Sequence, residues 1–444
     1  MYFLYSLFAL ALFVVVSPWL LYQAIRHGKY VDSLAQRLGS LPVSFNMDAE
    51  PSIWIHAVSV GETLSVRPLI RELRQHYPRL RIFLSTTTMT GQQLARRNVP
   101  DVDAVFYFPL DFAFVVRRTL DLVRPRLFLM METEIWPHLL RECHRRGVKT
   151  AIVNGRLSSR SYPRYRLVRP LMRRVLAHVD RFCVQSEESA RRFVDLGADP
   201  ARVTVTGSLK FDSLDAPVAA ADVRVRDRVV RYFRVPASRP VLVAGSTMRG
   251  EEAAVLRAFR KLKAAQPGAL LILAPRHPER FDDVEQICRE EGFRTVRRSE
   301  LPVDAEPRAD IVVLDTIGEL ARIYQVATVA FVGGSLVPTG GHNILEPAVF
   351  GKPVVFGPHM QNFAEIAEAF VAHEAGVQVR SAGELEAALV DLMADPVRRA
   401  RLGAAARALV EANRGAKDRT VTALLALLPV DGPGAKVRPF RVVS

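Results

Sequence analysis

Short apolar runs alternate with segments of helical spacing along most of this chain. In the first half, apolar runs at 53–58, 81–87, 126–132, 149–154, 181–186 and 202–207 each end in polar residues. Segments with helical periodicity lie between them, for example at 90–98, 135–146 and 186–196. Strands that alternate with helices indicate βαβ units, whose parallel sheet is buried on both faces. The pattern therefore predicts an α/β fold.

The alternation stops once and then restarts, which predicts two domains. Residues 212–227 have little periodicity, and new apolar runs follow at 239–246, 269–277, 310–316, 328–335 and 352–358, before a helical pattern over about 382–428. A chain of 444 residues is also too long for one ordinary core. We predict two doubly wound, Rossmann-like domains at 45–211 and 236–428, facing a cleft and joined by a linker at 212–235.

The N-terminal segment is apolar enough to suggest a membrane helix. Residues 2–22 carry no charge and are long enough to cross a hydrocarbon core of about 30 Å. A cleaved signal peptide would need a basic start and a small-residue cleavage site. Here the basic residues Arg26, Lys29 and Arg37 follow the segment, which predicts a single-pass anchor with the rest of the chain in the cytoplasm.

The formal net charge of +15 narrows the class of partner. Nucleic acid, anionic lipid and an anionic substrate are all compatible with it. The chain has no nucleic-acid-binding motif, and a membrane tether disfavours nucleic acid, so lipid or an acidic substrate is expected. The cysteines Cys143, Cys183 and Cys288 lie far apart, which argues against a disulfide framework or a zinc site and favours a reducing compartment.

One segment concentrates the positive charge. "RSYPRYRLVRPLMRR" (160–174) contains six arginines and no acid, and tyrosine and leucine residues lie between the arginines. This composition suits the surface of an anionic membrane. A solvated helix face is the alternative interpretation.

Ionisable residues follow the strands of the first half. Glu62 lies in "SVGE" (59–62), Glu132 and Glu134 in "METEIWP" (131–137), and Lys210 in "GSLKFD" (207–212). Ligands of doubly wound sheets bind at the carboxyl ends of the strands. A carboxylate held near other acids has its pKa raised toward neutrality, as a general base requires. The alternative is that these acids cap helices or pair with arginines.

The second half carries glycine-rich turns at the corresponding positions. Gly318 and Gly341 are predicted to present backbone amides to phosphate. Arg276 is a candidate clamp for phosphate or carboxylate, and Glu346, beside Asn343, for the ribose hydroxyls. The histidines His277, His342 and His359 lack the spacing of metal ligands, so hydrogen bonding is the expected role.

Taken together, the motifs resemble those of the 3-deoxy-D-manno-octulosonic acid (Kdo) transferases of Gram-negative bacteria. The resemblance extends over nearly the whole chain and rests on "HAVSVGE", "ETEIWP", "NGRLSSRSY", "GSLKFD", "PRHPERF", "DTIGEL", "FVGGSLVPTGGHNILEP" and "GPHMQNF". His138 stands where members of this family often have asparagine, which affects no expected catalytic residue. The resemblance implies a GT-B glycosyltransferase that transfers Kdo from CMP-Kdo to lipid A precursor, with inversion, on the cytoplasmic face of the inner membrane.

The resemblance also implies roles for individual residues. Glu62 matches the family's catalytic base, and Glu132 and Lys210 match residues that assist the transition state. The residues expected to hold CMP are Pro275, Arg276, Ile317, Gly318, Glu319, Asn343, Ile344, Leu345 and Glu346. No metal or other cofactor is expected. A GT-B enzyme acting on another nucleotide sugar, as transferase or epimerase, is the alternative function, and a membrane scaffold without activity is disfavoured because it leaves the three ionisable residues without a role.

Overall fold

The structure is a computed structural model that describes residues 2–27, 31–159, 161–213, 235–236, 238–301 and 306–429. The chain forms two compact units. The first comprises Met1–Ser213 together with Arg414–Ser444, and the second comprises Leu214–Asn413. Most of the predicted linker at 212–235 lies outside the described residues.

The first unit is built on a parallel sheet of seven strands in the order β3-β2-β1-β4-β5-β6-β7. These strands are β1 (Ser52–His56), β2 (Arg81–Thr86), β3 (Ala104–Tyr107), β4 (Pro125–Met131), β5 (Lys149–Gly155), β6 (Arg181–Val184) and β7 (Val203–Val205). The helices described before residue 213 are α1 (Tyr2–His27), α2 (Val31–Arg37), α3 (Val60–His76), α4 (Met89–Asn98), α5 (Ala113–Val123), α6 (Pro137–Arg145), α7 (Tyr162–Leu167), α8 (Arg169–Leu176) and α9 (Glu187–Asp195).

The apolar runs of the sequence form the strands because both faces of the sheet are covered. Successive residues of a strand point to opposite faces. Trp54 of β1 therefore belongs to the core on one side with Phe83 and Phe128, whereas Ile53 and Ile55 belong to the core on the other side. A central strand of this kind has no solvent face, and its middle residues form a continuous apolar run rather than an alternating one.

The polar residues at several strand ends begin the following helices. Ser59 caps α3, Thr88 caps α4 and Ser186 caps α9, each by accepting a hydrogen bond from a backbone N–H of the first turn. These side chains satisfy amide groups that have no partner within the helix. The strand-loop-helix pattern that the sequence predicts is therefore reinforced by local capping.

The second unit contains another parallel sheet of seven strands, in the order β10-β11-β9-β8-β12-β13-β14. Its strands are β8 (Val241–Thr247), β9 (Leu270–Pro275), β10 (Thr295–Arg297), β11 (Ile311–Val313), β12 (Val329–Val332), β13 (Val354–Phe356) and β14 (Val377–Gln378). Its described helices are α10 (Glu252–Ala265), α11 (Phe281–Glu290), α12 (Leu320–Ile323), α13 (Leu345–Ala348), α14 (Ala364–Ala372), α15 (Ala382–Ala394) and α16 (Pro396–Ala412). The prediction of two doubly wound α/β units is confirmed.

The last helix, α17 (Ala416–Leu425), belongs to the first unit. Val421, Leu424 and Leu428 lie in the core that covers one face of the first sheet. Asp212 accepts hydrogen bonds from the backbone N–H groups of Gly415 (2.9 Å) and Lys417 (2.7 Å) at the start of α17. The second unit therefore ends at Asn413, not at residue 428 as predicted, because the apolar side of α17 packs on the first sheet.

The prediction of a membrane anchor over residues 2–22 is not supported. Within the described parts of the chain, no helix combines the length and the apolar character needed to cross a membrane.

The helix α1 contacts the first unit through polar and aromatic side chains. The Tyr5 hydroxyl donates to Asp111 Oδ2 at 2.9 Å. Ser6 Oγ lies 2.9 Å from His138 Nε2, and the ring of Phe13 packs edge-on against Phe112. This side of α1 therefore packs against the rest of the first unit.

The sequence did not predict the strands β3, β10 and β14. They have four, three and two residues, and Arg297 and Gln378 interrupt the apolar character of the last two. β3, β10 and β14 lie at the ends of the strand orders, where one neighbour is enough to define a strand. β10 and β14 therefore lack the continuous apolar run by which the other strands were predicted.

The position of α17 gives a test of the domain boundary. Leu424 is fully buried, and Leu424→Ala is expected to lower the free energy of unfolding by about 2–5 kcal/mol because it opens a cavity. Hydrogen exchange measured by mass spectrometry should accelerate in peptides of the first sheet and not in peptides of the second. Thr422→Ala, on the exposed side of α17, is the control. Faster exchange in the second sheet would instead support the boundary predicted from the sequence.

Candidate active site

The first sheet changes winding direction between β1 and β4. β1 lies between β2 and β4, so the chain proceeds to one side after β1 and to the other side after β4. The loops that follow these two strands diverge and leave a crevice at their carboxyl ends, where ligands of such sheets bind. Glu62 follows β1 and Glu132 follows β4. The structure therefore brings these two predicted residues to the same crevice.

The carboxylate of Glu62 is held by the loop that precedes its own helix. Ser59 Oγ donates to Glu62 Oε1 at 2.9 Å, and the backbone N–H of Val58 donates to Glu62 Oε2 at 2.9 Å. The backbone N–H of Glu62 donates in return to Ser59 Oγ at 3.4 Å. This arrangement is close to a capping box, whose S-x-x-E signature is present in "SVGE". Glu62 therefore takes part in the capping motif at the start of α3, and its side chain is fixed in place.

The pKa of Glu62 is raised to about 7. Burial is the largest cause, and the negative charge of Glu132 is the second, while the hydrogen bonds from Val58 and Ser59 act in the opposite direction. Burial and a nearby like charge both disfavour the ionised form of a carboxyl group. A carboxylate with this pKa can accept a proton near neutral pH and release it again.

Glu132 pairs with Lys210 at the carboxyl ends of the strands of the first sheet. Lys210 Nζ lies 3.6 Å from Glu132 Oε1, and both side chains are largely buried. Glu132 has a φ of 53°, in the left-handed region, and its backbone N–H donates to the carbonyl of Val153 on β5 at 3.0 Å. The structure thus groups three predicted residues, two with a carboxyl group and one with an ammonium group: Glu62, Glu132 and Lys210.

Glu134 adds a third carboxylate at the carboxyl ends of these strands. Its Oε2 accepts a hydrogen bond from Trp136 Nε1 at 3.1 Å and lies 3.6 Å from Nε2 of the buried His56. The His56 ring stacks on Phe108, with its Nδ1 3.1 Å from the Ser85 carbonyl oxygen. His56 was not among the predicted site residues, although it lies in the same motif, "HAVSVGE", as Glu62.

The second sheet changes winding direction between β8 and β12, and there a carboxylate binds backbone amides of the glycine-rich loop that follows β12. Glu251 is fully buried. Its two oxygens accept hydrogen bonds from the backbone N–H groups of Met248, Gly334, Ser335 and Leu336, at 2.7–3.0 Å. The backbone N–H of Gly341 donates to the Gly334 carbonyl at 2.8 Å. The Gly341 amide, which was predicted to bind phosphate, thus has a partner within its own loop.

Three of the predicted donor-binding residues are close enough to influence one another. The pKa of Glu346 is raised to about 7 by burial, and the nearby Asn343 and Arg276 partly oppose this shift. Asn343 Nδ2 lies 3.4 Å from Glu346 Oε1. The positive charge of Arg276 also lowers the pKa of His342 to about 4, after burial as the main cause. A cation and two hydrogen-bonding groups are thus grouped beyond Pro275, the last residue of β9.

The remaining predicted donor-binding residues differ in whether their side chains or only their backbone groups are accessible to a ligand. Ile317 is exposed, and Gly318 adopts a φ of 90°, which a glycine accepts without strain. Glu319 precedes α12 and pairs with Arg298 at 3.3 Å. The side chains of Ile344 and Leu345 are fully buried in the core, so only their backbone groups are available to a ligand.

Comparison with known proteins gives the family. Residues 32–213 match the family described as 3-Deoxy-D-manno-octulosonic-acid transferase (kdotransferase). A 3-deoxy-D-manno-octulosonic acid transferase of Haemophilus influenzae is 35% identical over 411 residues, covering 90% of this chain and 92% of that protein. A protein of the same description from Bordetella pertussis is 36% identical over 380 residues, covering 84% of this chain and 86% of that protein. The chain belongs to the Kdo transferase family. The resemblance that its motifs carry is confirmed.

The fold also resembles solved structures of distant sequence. The UDP-GlcNAc 2-epimerase from Neisseria meningitidis, bound to UDP-GlcNAc, superposes with a TM-score of 0.56 and 13% identity, covering 85% of this chain and all of that chain. At this identity the likeness concerns the fold alone. This Kdo transferase family member thus has two parallel-sheet α/β units of the GT-B type.

The contacts of Glu62 predict how the pH dependence of this Kdo transferase should respond to mutation. If the ionised form of Glu62 is required, kcat/KM should rise with pH through about 7. Ser59→Ala removes a hydrogen bond that lowers the pKa of Glu62, so the acidic limb should move to higher pH. Glu132→Gln removes a negative charge that raises this pKa, so the limb should move to lower pH.

The control for this measurement is Ser65→Ala on the same helix. Ser65 Oγ donates to the Gly61 carbonyl at 2.7 Å and does not contact the Glu62 carboxylate. Its loss should leave the acidic limb in place. Identical limbs in the Ser59, Glu132 and control variants would show that another group controls the pH dependence.

Proposed function

We propose that this chain transfers Kdo from CMP-Kdo to lipid A precursor, with Glu62 as the general base. The observation that carries the proposal is the Glu62 carboxylate, held by two hydrogen bonds in the crevice of the first sheet with a pKa of about 7. In an inverting transfer, the base removes a proton from the acceptor hydroxyl as the hydroxyl oxygen attacks the anomeric carbon of Kdo. The bond from that carbon to the CMP phosphate breaks with its electron pair, and CMP leaves.

The proposal gives Lys210 and Glu132 a supporting electrostatic role. The ammonium group of Lys210, 3.6 Å from Glu132 Oε1, is fixed in position by that pair. A fixed positive charge stabilises negative charge that develops on the leaving phosphate or remains on the Kdo carboxylate. Glu132 in turn raises the pKa of Glu62. The proposal keeps the expectation that transfer needs no metal.

Recognition of the CMP-Kdo donor is proposed for the second unit. The guanidinium of Arg276 can donate two parallel hydrogen bonds to a phosphate. Glu346, beside Asn343, is placed to accept hydrogen bonds from ribose hydroxyls. The backbone of residues 317–319 and 343–346 supplies further donors. Since the amides of residues 334–336 bind Glu251, these groups replace the glycine-rich loop as the phosphate site.

We also propose that the first unit works at an anionic membrane surface, on the cytoplasmic side of the inner membrane. The acceptor is a lipid, so its sugar must be reached at a bilayer. The exposed apolar residues of α1 include Phe3 and Val15, at 77% and 75% exposure, and Leu167, the last residue of α7, is 85% exposed. Arginines surround Leu167 in the sequence. Apolar side chains ringed by basic ones are typical of peripheral membrane contacts.

The division of labour between the two units can be tested by calorimetry and single-turnover kinetics. Glu62→Gln preserves shape, because an amide can still accept from Val58 and donate to Ser59, but it cannot accept a proton. Turnover is expected to fall by about 10²–10⁴-fold, with unchanged binding of a CMP-Kdo analogue. Arg276→Ala should weaken analogue binding more than it slows the chemical step at saturating donor. A Glu62→Gln protein that retains turnover but loses the analogue would reverse the assignment of the two units.

The arginine-rich segment gives a separate test of membrane contact. Arg166 and Arg169 both lie near Asp195, at 3.7 and 3.6 Å, and are more than half exposed. Arg166→Gln with Arg169→Gln should weaken binding to vesicles of anionic lipid at low salt, and less so at high salt, because salt screens the attraction. Asp195→Asn is the matched control, which frees both arginines and should maintain or strengthen binding. Equal vesicle binding of all variants at low salt would assign the segment to a solvated face.

A further inference from the structure

We infer that Asn154 is a positioning residue for the Lys210–Glu132 pair. This inference rests on the proposed function, since it concerns how the charges around Glu62 are held. Neither the motifs nor the comparisons assign Asn154 a role.

The backbone at the ends of β4 and β5 is strained in the same way on both strands. Met131 is paired with Val153 in the parallel register, so Glu132 and Asn154 occupy the next positions on adjacent strands. Their φ angles are 53° and 56°, in the left-handed region that few residues other than glycine adopt. Non-glycine residues in such conformations concentrate at functional sites, where the surrounding structure holds them. Glu132 has a proposed role, and Asn154 calls for one.

The side chain of Asn154 connects β5 to the segment that carries Lys210. Asn154 is fully buried, and its Oδ1 accepts a hydrogen bond from the backbone N–H of Leu209 at 3.0 Å. Leu209 immediately precedes Lys210. The donor is an N–H group, so the amide oxygen must face it, and the orientation of the amide is determined.

The backbone beside Asn154 holds the other member of the pair. The backbone N–H of Glu132 donates to the carbonyl of Val153 at 3.0 Å, and Gln185 Nε2 donates to the carbonyl of Asn154 at 2.9 Å. Two consecutive residues at the end of β5 therefore bind the backbone of Glu132 and the backbone next to Lys210. Lys210 Nζ and Glu132 Oε1, 3.6 Å apart, thus belong to two segments that are both attached to the end of β5.

The choice of residue supports a role for the side chain. Glycine would adopt this φ at no steric cost, whereas asparagine adopts it with some strain. The Nδ2 atom of Asn154 finds no hydrogen-bond partner in the described part of the chain. Burying an amide on a strained backbone is unfavourable unless its oxygen makes a required hydrogen bond. Here the oxygen accepts the hydrogen bond from Leu209, next to Lys210.

The test is a double-mutant cycle between Asn154 and Lys210, in the full-length protein. Asn154→Gly keeps the left-handed backbone and removes the acceptor of the Leu209 N–H. Single-turnover transfer at saturating donor is expected to slow by about 10²-fold, the scale of a misplaced catalytic group, with little change in KM for CMP-Kdo. Lys210→Met abolishes the charge that Asn154 positions. If Asn154 acts through Lys210, the double variant should be no slower than Lys210→Met alone.

A conservative variant and a matched control separate positioning from stability. Asn154→Asp retains an oxygen acceptor for the Leu209 N–H and should recover much of the rate lost in the glycine variant. Asn46 is another buried asparagine of the first unit, bonded to the carbonyls of Glu50 and Leu122 near the amino ends of the strands. Asn46→Ala should lower Tm without slowing single turnover.

The outcomes distinguish this inference from the proposed function. Additive losses in the cycle, or an Asn154→Gly protein with unchanged rate, would overturn the role of Asn154. The proposed function would still stand in that case if Glu62→Gln were inactive. Full turnover in Glu62→Gln would overturn the proposed base whatever the cycle showed. Non-additive losses with recovery in Asn154→Asp would establish Asn154 as a positioning residue.

Discussion

The order of strands in each parallel sheet is the constraint on which the rest of the structure depends. In the first sheet β1 is the neighbour of β4, and in the second β8 is the neighbour of β12. Loops that follow such strand pairs diverge, and this opens a crevice at the carboxyl ends. Each unit therefore has one place where side chains from distant parts of the sequence can meet. Glu62 and Glu132 meet there in the first unit, and Glu251 binds loop amides there in the second.

Glu62 shows how a residue of a helix-capping motif can also be suited to proton transfer. Two hydrogen bonds to its carboxylate favour the ionised form, while burial and the charge of Glu132 disfavour it. The second pair of effects is stronger, and the resulting pKa of about 7 suits proton transfer. The capping interpretation and the catalytic interpretation are therefore compatible. Ser59, which caps α3, also donates one of the two hydrogen bonds that hold the carboxylate.

The two units use their crevices differently. In the first unit the acids at the crevice remain partly accessible, and Lys210 offsets some of their charge. In the second unit the buried Glu251 supplies its own negative charge to the amides of residues 334–336. In the proposed donor site, the phosphate therefore binds other groups, among them the guanidinium of Arg276. The proposed donor site depends on side chains rather than on the glycine-rich loop alone.

Local pattern was enough to predict the two α/β units and the central strands, because buried strands and capped helices are encoded within a few residues of each other. The family followed from the resemblance of the motifs. Glu62, Glu132 and Lys210 were identified because each follows a recognisable strand. The return of α17 to the first unit, the occupation of the loop amides by Glu251 and the attachment of Asn154 to Leu209 had no local signal. Each joins residues far apart in the chain, or depends on which face of an element finds a partner. Only tertiary packing decides such contacts, since the free energy that selects them comes from burial and hydrogen bonding between elements rather than within them.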